Sequence, residues 1–307
     1  MLWYWLIDRN AKPAFDALME DGSPWPKISV VTPSYNQGKF IEDTIRSVVM
    51  QGYPNLEYII IDGGSTDNTV DIIKKYSNEI TYWVSEKDNG QTQAINKGFE
   101  KSTGTILAYL NSDDVYQPYT FRTVAGLFSK FKEINWLTGY KTHLNDGHLV
   151  SPTWNETVAY DQKFYRKGLH LHNLLGWNQQ PSTFWSRELF NRVGGKFNES
   201  INLNMDINLW IRFSEYERLY FVSTILGLMR KHPEQKSQRI QNTWELFERE
   251  QKYLNLYPLF FRKLIMTAYQ IPGLRFLLKR MVYDPVGKII VWDHDRGQWI
   301  MRTKNLF

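Results

Sequence analysis

Four short polar stretches in this chain each follow an apolar run. They are Thr32-Pro33-Ser34-Tyr35-Asn36, Asp62-Gly63-Gly64-Ser65-Thr66-Asp67, Ser85-Glu86-Lys87-Asp88-Asn89-Gly90 and Asn111-Ser112-Asp113-Asp114. Three of the four carry carboxylates. Adjacent acids such as Asp113 and Asp114 repel each other unless a cation sits beside them. Asp113 can bind a hard divalent ion, Mg²⁺ or Mn²⁺, which prefers carboxylate and phosphate oxygens. Such an ion would neutralise a diphosphate leaving group. Asp62 could accept the ring N–H of uracil, thymine or guanine, with Tyr35 as a stacking face. Gly63 and Gly64 permit close backbone approach. The plainer alternatives are an N-cap for a helical stretch after Pro118 and Asp-Gly turn chemistry at Asp62.

These stretches need strands to hold them at one edge. Lys27 to Pro33 (KISVVTP) is a strand entered from Pro24 and Pro26. Leu56 to Ile61, Thr81 to Val84 and Thr105 to Leu110 are three more apolar strands. Between them, Phe40–Met50, Thr69–Tyr76 and Gln91–Lys101 carry helical spacing, with Ile41, Ile45, Val48 and Val49 on one face. Alternation of apolar strands with helices predicts a mostly parallel sheet covered on both faces. In such sheets ligands bind outside the carboxyl ends of the strands. Past Phe131 the pattern loosens: 136–185 mixes short strands, Gly and aromatic segments. Helices are expected at Glu188–Val193 and Met205–Tyr216, and strands at Leu219–Val222 and Ile225–Arg230. From Gln235 onward the pattern is helical, with Phe247, Leu254, Leu256 and Leu259 among its apolar positions.

The 307 residues suffice for one large α/β domain with an appendage. Cysteine is absent, which excludes disulfides, thiolate metal sites and a Cys nucleophile. The 12 Trp suit sugar or lipid contacts, although large cores use Trp too. No apolar run reaches the ~18 residues of a membrane span, and MLWYWLIDRN lacks a basic n-region and a cleavage site, so the cytoplasm is the expected compartment. Charge is uneven: residues 230–307 hold 15 Lys/Arg against 7 Asp/Glu, while the whole chain is +5. A basic tail suits anionic lipid or a phosphorylated acceptor; nucleic acid has no other support.

Two segments resemble the donor half of family 2 glycosyltransferases with the GT-A fold. They are ISVVTPSYNQGKFIEDTIRSVVMQGYPNLEYIIIDGGSTDNTVDII and SEKDNGQTQAINKGFEKSTGTILAYLNSDD, the latter ending in a DxD-type motif. QPSTFWSRELFNRVGGKFNESINLNMDINLWIRF resembles the acceptor half, and GLMRKHPEQKS the segment that closes the domain. The resemblance covers about 27–237. It implies an N-terminal extension (1–26), a catalytic domain (27–237, split at 114) and a helical C-terminal extension (238–307).

The implied activity is inverting, metal-dependent transfer of a sugar from a nucleotide diphosphate, a UDP-sugar first, to an acceptor hydroxyl in polysaccharide, glycolipid or cell-surface glycan synthesis. By position, Thr32, Pro33, Ser34, Tyr35 and Asp62 would hold the nucleoside, and Asp88 would also meet the nucleotide sugar. Asn111 and Ser112 would lie near ribose and diphosphate. Asp113 and His232 would meet Mn²⁺ or Mg²⁺, and Asp206 would be the general base. Asn111, Gln93 and Thr105 stand where many members have Asp, which implies a distinct donor pocket. His170 and His172 are expected to be structural.

The implied partners are a nucleotide sugar and a glycan or lipid-linked acceptor. The tail, with Phe260, Phe261, Leu264, Ile265, Leu274, Phe276, Leu277 and Leu278 among Arg262, Lys263, Arg275, Lys279 and Arg280, either packs on the domain or lies at the inner face of the membrane. Two other functions compete. A sugar-phosphate nucleotidyltransferase would want a Gly-rich basic loop, whereas TPSYNQGKF has one Gly and one Lys. A non-catalytic glycan- or nucleotide-sugar-binding module would keep nucleotide binding without Asp206.

Overall fold

A computed structural model describes residues 14–145, 148–150, 178–201, 203–236, 258–271 and 288–303, with positions 162, 273, 274 and 277. Its N-terminal half runs β1 (Ile28–Ser34), α1 (Ile41–Val49), β2 (Leu56–Asp62), α2 (Thr69–Lys75), β3 (Tyr82–Ser85), α3 (Gln91–Lys101) and β4 (Ile106–Tyr109). All seven elements were legible in the sequence, within a residue or two at each end. β1 pairs in parallel with β2 and β4, and β2 with β3. The register sets Ser34 beside Asp62 and Asp62 beside Ser85, so three polar ends finish on one line.

Side chains alternate across this sheet and both faces are buried. Val30, Tyr58, Ile60 and Ala108 belong to one core cluster. Val31, Ile59, Ile61, Leu107 and Tyr109 belong to the other. Gly98 of α3 lies so close to β1 that a Cβ there would stand 2.3 Å from a Val31 methyl. The helix therefore packs close against the strand that carries Thr32–Ser34.

The second half continues through β5 (Val115–Tyr116), α4 (Thr120–Lys130), β6 (Trp136–Thr138), β7 (His143–Asn145) and β8 (His148–Val150). After a 3-10 turn (Gln180–Ser182) come β9 (Thr183–Ser186), α5 (Arg187–Arg192), α6 (Met205–Phe213), β10 (Tyr220–Val222) and β11 (Gly227–Lys231). α7 (Leu259–Tyr269), β12 (Lys288–Asp293) and β13 (Gln298–Thr303) complete the described chain. The main sheet is nine-stranded, in the order β13-β12-β10-β6-β9-β4-β1-β2-β3. β9 is antiparallel to both neighbours, β4 and β6. Trp136, Trp185 and Trp210 are fully buried and packed on one another, so these three belong to the core.

The C-terminal extension departs from its expected helical character. α7 is a helix, but Lys288–Asp293 and Gln298–Thr303 form a hairpin that joins the main sheet by parallel pairing of β12 with β10. Two short apolar runs rich in branched and aromatic residues, KIIVWD and QWIMRT, joined by a turn with Gly297 at φ 59°, favour strands here. Phe15 and Trp25 of the N-terminal segment pack edge-to-face with each other and with Tyr53. The stretches 1–13 and 238–257, the pair His170 and His172, and Arg275, Phe276, Leu278, Lys279 and Arg280 lie outside the described residues.

Candidate functional site

A second, four-stranded sheet, β5-β11-β7-β8, builds the site's centre. β5 follows Asp113-Asp114 directly and pairs antiparallel with β11, Val115 opposite Leu228 and Tyr116 opposite Gly227. Continuing that register by two residues brings Arg230 opposite Asp113, with His232 just beyond. The side chains close accordingly. His232 Nε2 lies 3.0 Å from Asp113 Oδ2. The Arg230 guanidinium donates from Nε to the Asp113 carbonyl at 2.9 Å and from Nη2 to Asp43 at 2.8 Å. The Arg230 amide donates to Asp114 Oδ1 at 2.9 Å. Phe40 packs beneath both, its ring 4.2 Å from the His232 ring and 5.3 Å from the guanidinium.

The four strand-end carboxylates have different fates. Asp114 is buried and accepts from the Arg230 amide and, at 3.2 Å, from the Asn111 side chain. Burial, and then the neighbouring charge of Asp113, raise its proton affinity well above the ordinary carboxylate range. Thr44 of α1 donates to its carbonyl at 2.7 Å, which ties the loop to the helix. Asp62 is fully buried and accepts from the amides of Gly64 and Ser65 and from the hydroxyls of Ser65 (2.5 Å) and Ser85 (2.6 Å). A base edge would reach it only by displacing one of those hydroxyls. Asp88 is half-buried, accepts from the Gly90 amide, and reaches over Gly63: its oxygens lie 3.0 and 3.1 Å from where a Gly63 Cβ would stand. Asp113 keeps 18% of its side chain exposed.

The expected nucleoside residues gather at the end of β1. Thr32 is buried against the Tyr58 hydroxyl at 3.1 Å. Pro33 follows in the strand, and Tyr35 is 60% exposed, a free stacking face. The Ser34 hydroxyl is buried with no hydrogen-bond partner among the described residues. Buried hydroxyls are ordinarily satisfied, so this one is suited to a ligand. Ser112 is buried beside the Asp113 loop. Asn111 is held on three sides: Gln91 donates to its Oδ1 at 2.7 Å, and its amide reaches Asp114 and Gln180. Asp206 lies in the first turn of α6, where the helix N-terminus favours an anion. Its charge is among the influences that raise the buried Tyr109 phenol, after burial itself.

Sequence reasoning missed Arg230, Gln91, Gln180 and Thr44 as the supports of the Asp113 loop. Arg230 was visible only as part of a basic segment. The hairpin register that makes it a support follows from the pairing of β5 with β11.

Asp113 and His232 fit a divalent cation. The two side chains hydrogen-bond to each other at 3.0 Å, and a carboxylate and an imidazole this close could turn the same two atoms to one shared ion. The carboxylate suits Mn²⁺ or Mg²⁺, and the imidazole, a softer donor, favours Mn²⁺ over the all-oxygen preference of Mg²⁺. Among the described residues no cluster of three or more His, Cys, Asp or Glu exists, so remaining ligands would come from phosphate oxygens and water.

A parallel donor-side sheet whose fourth strand ends in an acidic motif is the architecture of GT-A glycosyltransferases, and solved structures of that kind superpose on this chain. TarS of S. aureus, residues 1–349 in complex with UDP-GlcNAc, matches with a TM-score of 0.59 at 18% identity, covering 83% of this chain and 74% of that one. A mannosyltransferase of Pyrobaculum calidifontis, solved with GDP-Man and Mn²⁺, matches with a TM-score of 0.51 at 18% identity over 77% of this chain and 65% of that one. The model of glycosyl transferase family 2 matches residues 29–193, and the chain belongs to that family. An uncharacterized glycosyltransferase of Rickettsia typhi is 26% identical over 238 residues, 75% of this chain and 72% of that protein. A Bacillus subtilis relative named for teichuronic acid biosynthesis is 36% identical over 141 residues, 44% of this chain and 56% of that protein. Against a longer TarS structure the chain covers 37% of the solved chain.

Proposed function

We propose that this glycosyltransferase is an inverting, metal-dependent enzyme that moves a sugar from a UDP-sugar to an acceptor hydroxyl in the synthesis of a polysaccharide, glycolipid or cell-surface glycan. The observation that carries this reading is the meeting of Asp113, in the loop after β4, with His232 after β11, a carboxylate and an imidazole 3.0 Å apart. Neighbours in fold are solved with UDP-GlcNAc or with GDP-Man and Mn²⁺.

The roles follow from position. Tyr35 stacks on the base, and the Ser34 hydroxyl and Asp88 take its polar edge. Thr32, Pro33 and Asp62 form the floor. Asn111 and Ser112 border ribose and diphosphate. Asp113 and His232 would hold Mn²⁺ or Mg²⁺, which would supply charge neutralisation at the leaving diphosphate. Asp206 takes the proton of the acceptor hydroxyl as its oxygen bonds to the anomeric carbon and the bond to the diphosphate breaks on the opposite face. One base suffices, because the acceptor oxygen is itself the nucleophile. The acceptor is a glycan or a lipid-linked glycan, reached from the cytoplasm, with a peripheral contact between the C-terminal segment and the membrane.

Thermal shift with UDP, GDP, dTDP and CDP, each with and without Mn²⁺, tests the donor half of the reading. A ligand at about 100 times its dissociation constant adds roughly 2.7 kcal/mol. UDP is expected to stabilise the wild type only with Mn²⁺, and to lose that effect in Asp113→Ala. Asp206→Asn is expected to keep the shift and lose transfer. A metal-independent shift of equal size in both proteins would overturn the metal assignment.

A further inference from the structure

α7 carries large apolar side chains on its outer face. Phe260 is 73% exposed, Phe261 53% and Leu264 54%. Ile271, Leu274 and Leu277 beyond it are also exposed. Half of the twelve exposed large hydrophobics in the described residues therefore fall within 260–277, which marks the patch as an interaction surface. At 100° per residue, Phe260, Leu264 and Phe261 share one arc of the helix. Ile265, further round, is partly buried against the second core cluster, so the helix is fastened to the catalytic domain by one side.

The charge of this stretch selects the occupant. Between Lys252 and Tyr283 the sequence has six Lys/Arg and no Asp or Glu. An anionic lipid surface supplies both of its needs: an apolar interior for Phe and Leu, and phosphate groups for the cations. At 11 residues α7 cannot span a bilayer, and no helix among the described residues is long and apolar enough to do so. It would lie in the plane of the interface.

We propose that the outer face of α7 and the apolar residues after it dock this enzyme onto an anionic phospholipid surface, with Phe260, Phe261 and Leu264 inserted below the headgroups. This rests on the peripheral-contact part of the functional reading and is independent of its chemistry. Charges near the surface act only within a Debye length, so binding weakens with salt.

The test is flotation of the full chain with phosphatidylcholine vesicles, alone or with about 30 mol% phosphatidylglycerol, as a strongly anionic leaflet. The wild type is expected to bind the anionic vesicles at least ten-fold more tightly than the neutral ones. Phe260→Glu/Leu264→Glu is expected to lose binding at least ten-fold while melting at the wild-type temperature and keeping its response to UDP and Mn²⁺. Equal binding to both vesicles would overturn the role of charge. Undiminished binding by the double variant would overturn the role of this face. Absence of binding, or a dimer that the double variant dissolves, would show that a second copy or solvent covers the face and would overturn the proposal. Loss of the UDP response in the wild type would count against the donor reading and leave the lipid result standing.

Discussion

Arg230→Met tests whether one side chain holds the Asp113 loop. The guanidinium is 14% exposed in its side chain and makes three contacts: the Asp113 carbonyl, Asp43 and the Phe40 ring. A charge-assisted hydrogen bond in such a place is worth about 1.5–3 kcal/mol. The Asp43 carboxylate is 53% exposed, so that ion pair adds only about 0–1 kcal/mol. The ring contact adds about 0.5–1 kcal/mol, and methionine recovers part of it as apolar contact. The sum is about 3 kcal/mol, or a melting temperature lower by about 6 °C, at the low end of the scaling for domains of 150–250 residues. The Arg230 amide still donates to Asp114 in the variant, so the strand pairing should survive.

The assay is denaturant unfolding followed by Trp fluorescence, on wild type, Arg230→Met and Asp43→Asn. Asp43→Asn is expected within about 1 kcal/mol of wild type. In Arg230→Met the Mn²⁺ concentration for half of the UDP-induced thermal shift should rise about 10-fold, as for residues that orient a ligand without touching the metal. Equal stability of Arg230→Met and wild type would refute the support role. Equal losses in Arg230→Met and Asp43→Asn would shift the effect from the loop carbonyl to the surface ion pair.

Three further outcomes are expected. Gly98→Ala should cost about 1–3 kcal/mol by overpacking against Val31, and adding Val31→Ala should cost less than the two single losses together; additivity in denaturant unfolding would contradict the close packing. Gly63→Ala should weaken UDP binding about ten-fold, the 1.4 kcal/mol that displacement of one hydrogen-bonded carboxylate implies, and leave the melting temperature unchanged; unaltered affinity in calorimetry would remove Asp88 from the base pocket. Glu57 concerns pH. Burial raises its proton affinity, but hydrogen bonds from Ser29 and Thr103 and the charge of Lys27 outweigh this and hold it below the ordinary glutamate value. Its contribution is therefore present above the unfolded value of about 4.3 and lost as pH falls through the lower folded value. Glu57→Gln should be less stable at pH near 7 and converge on wild type in acid, so a gap that persists in acid would refute the linkage.

The N-terminal half, β1 to β4, was legible because its signals are local. Ile41, Ile45, Val48 and Val49 declare a helix by spacing, and all four are buried as expected. α3 spans Gln91–Lys101, as its spacing predicts. β9 was not legible: its four residues pair with strands about 45 and 80 positions earlier, and no local pattern encodes an antiparallel insertion. The β12–β13 hairpin left a readable trace, two short apolar runs either side of Asp293–Gly297, hidden by the helical pattern before it. At the site, the types of Asp62, Asp88 and Asp113 were visible, but their availability was not. Whether a carboxylate is spent within the protein depends on hydroxyls such as Ser65 and Ser85, which reach Asp62 only after the strands align.

The position of β9 also has a kinetic meaning. β1 to β4 lie in one stretch of about 80 residues and can pair through short helical crossovers as the chain emerges. β4 then waits on one side for a strand that begins at Thr183. Until β9 arrives, that side of β4 offers unpaired backbone groups and the buried face of Leu107 to any other extended segment. Refolding should therefore pass through a sticky, half-formed sheet whose lifetime is set by a long loop closure. Yield on dilution from denaturant should fall with protein concentration, and added nucleotide should not rescue it, because the donor-side strands are already assembled at that stage.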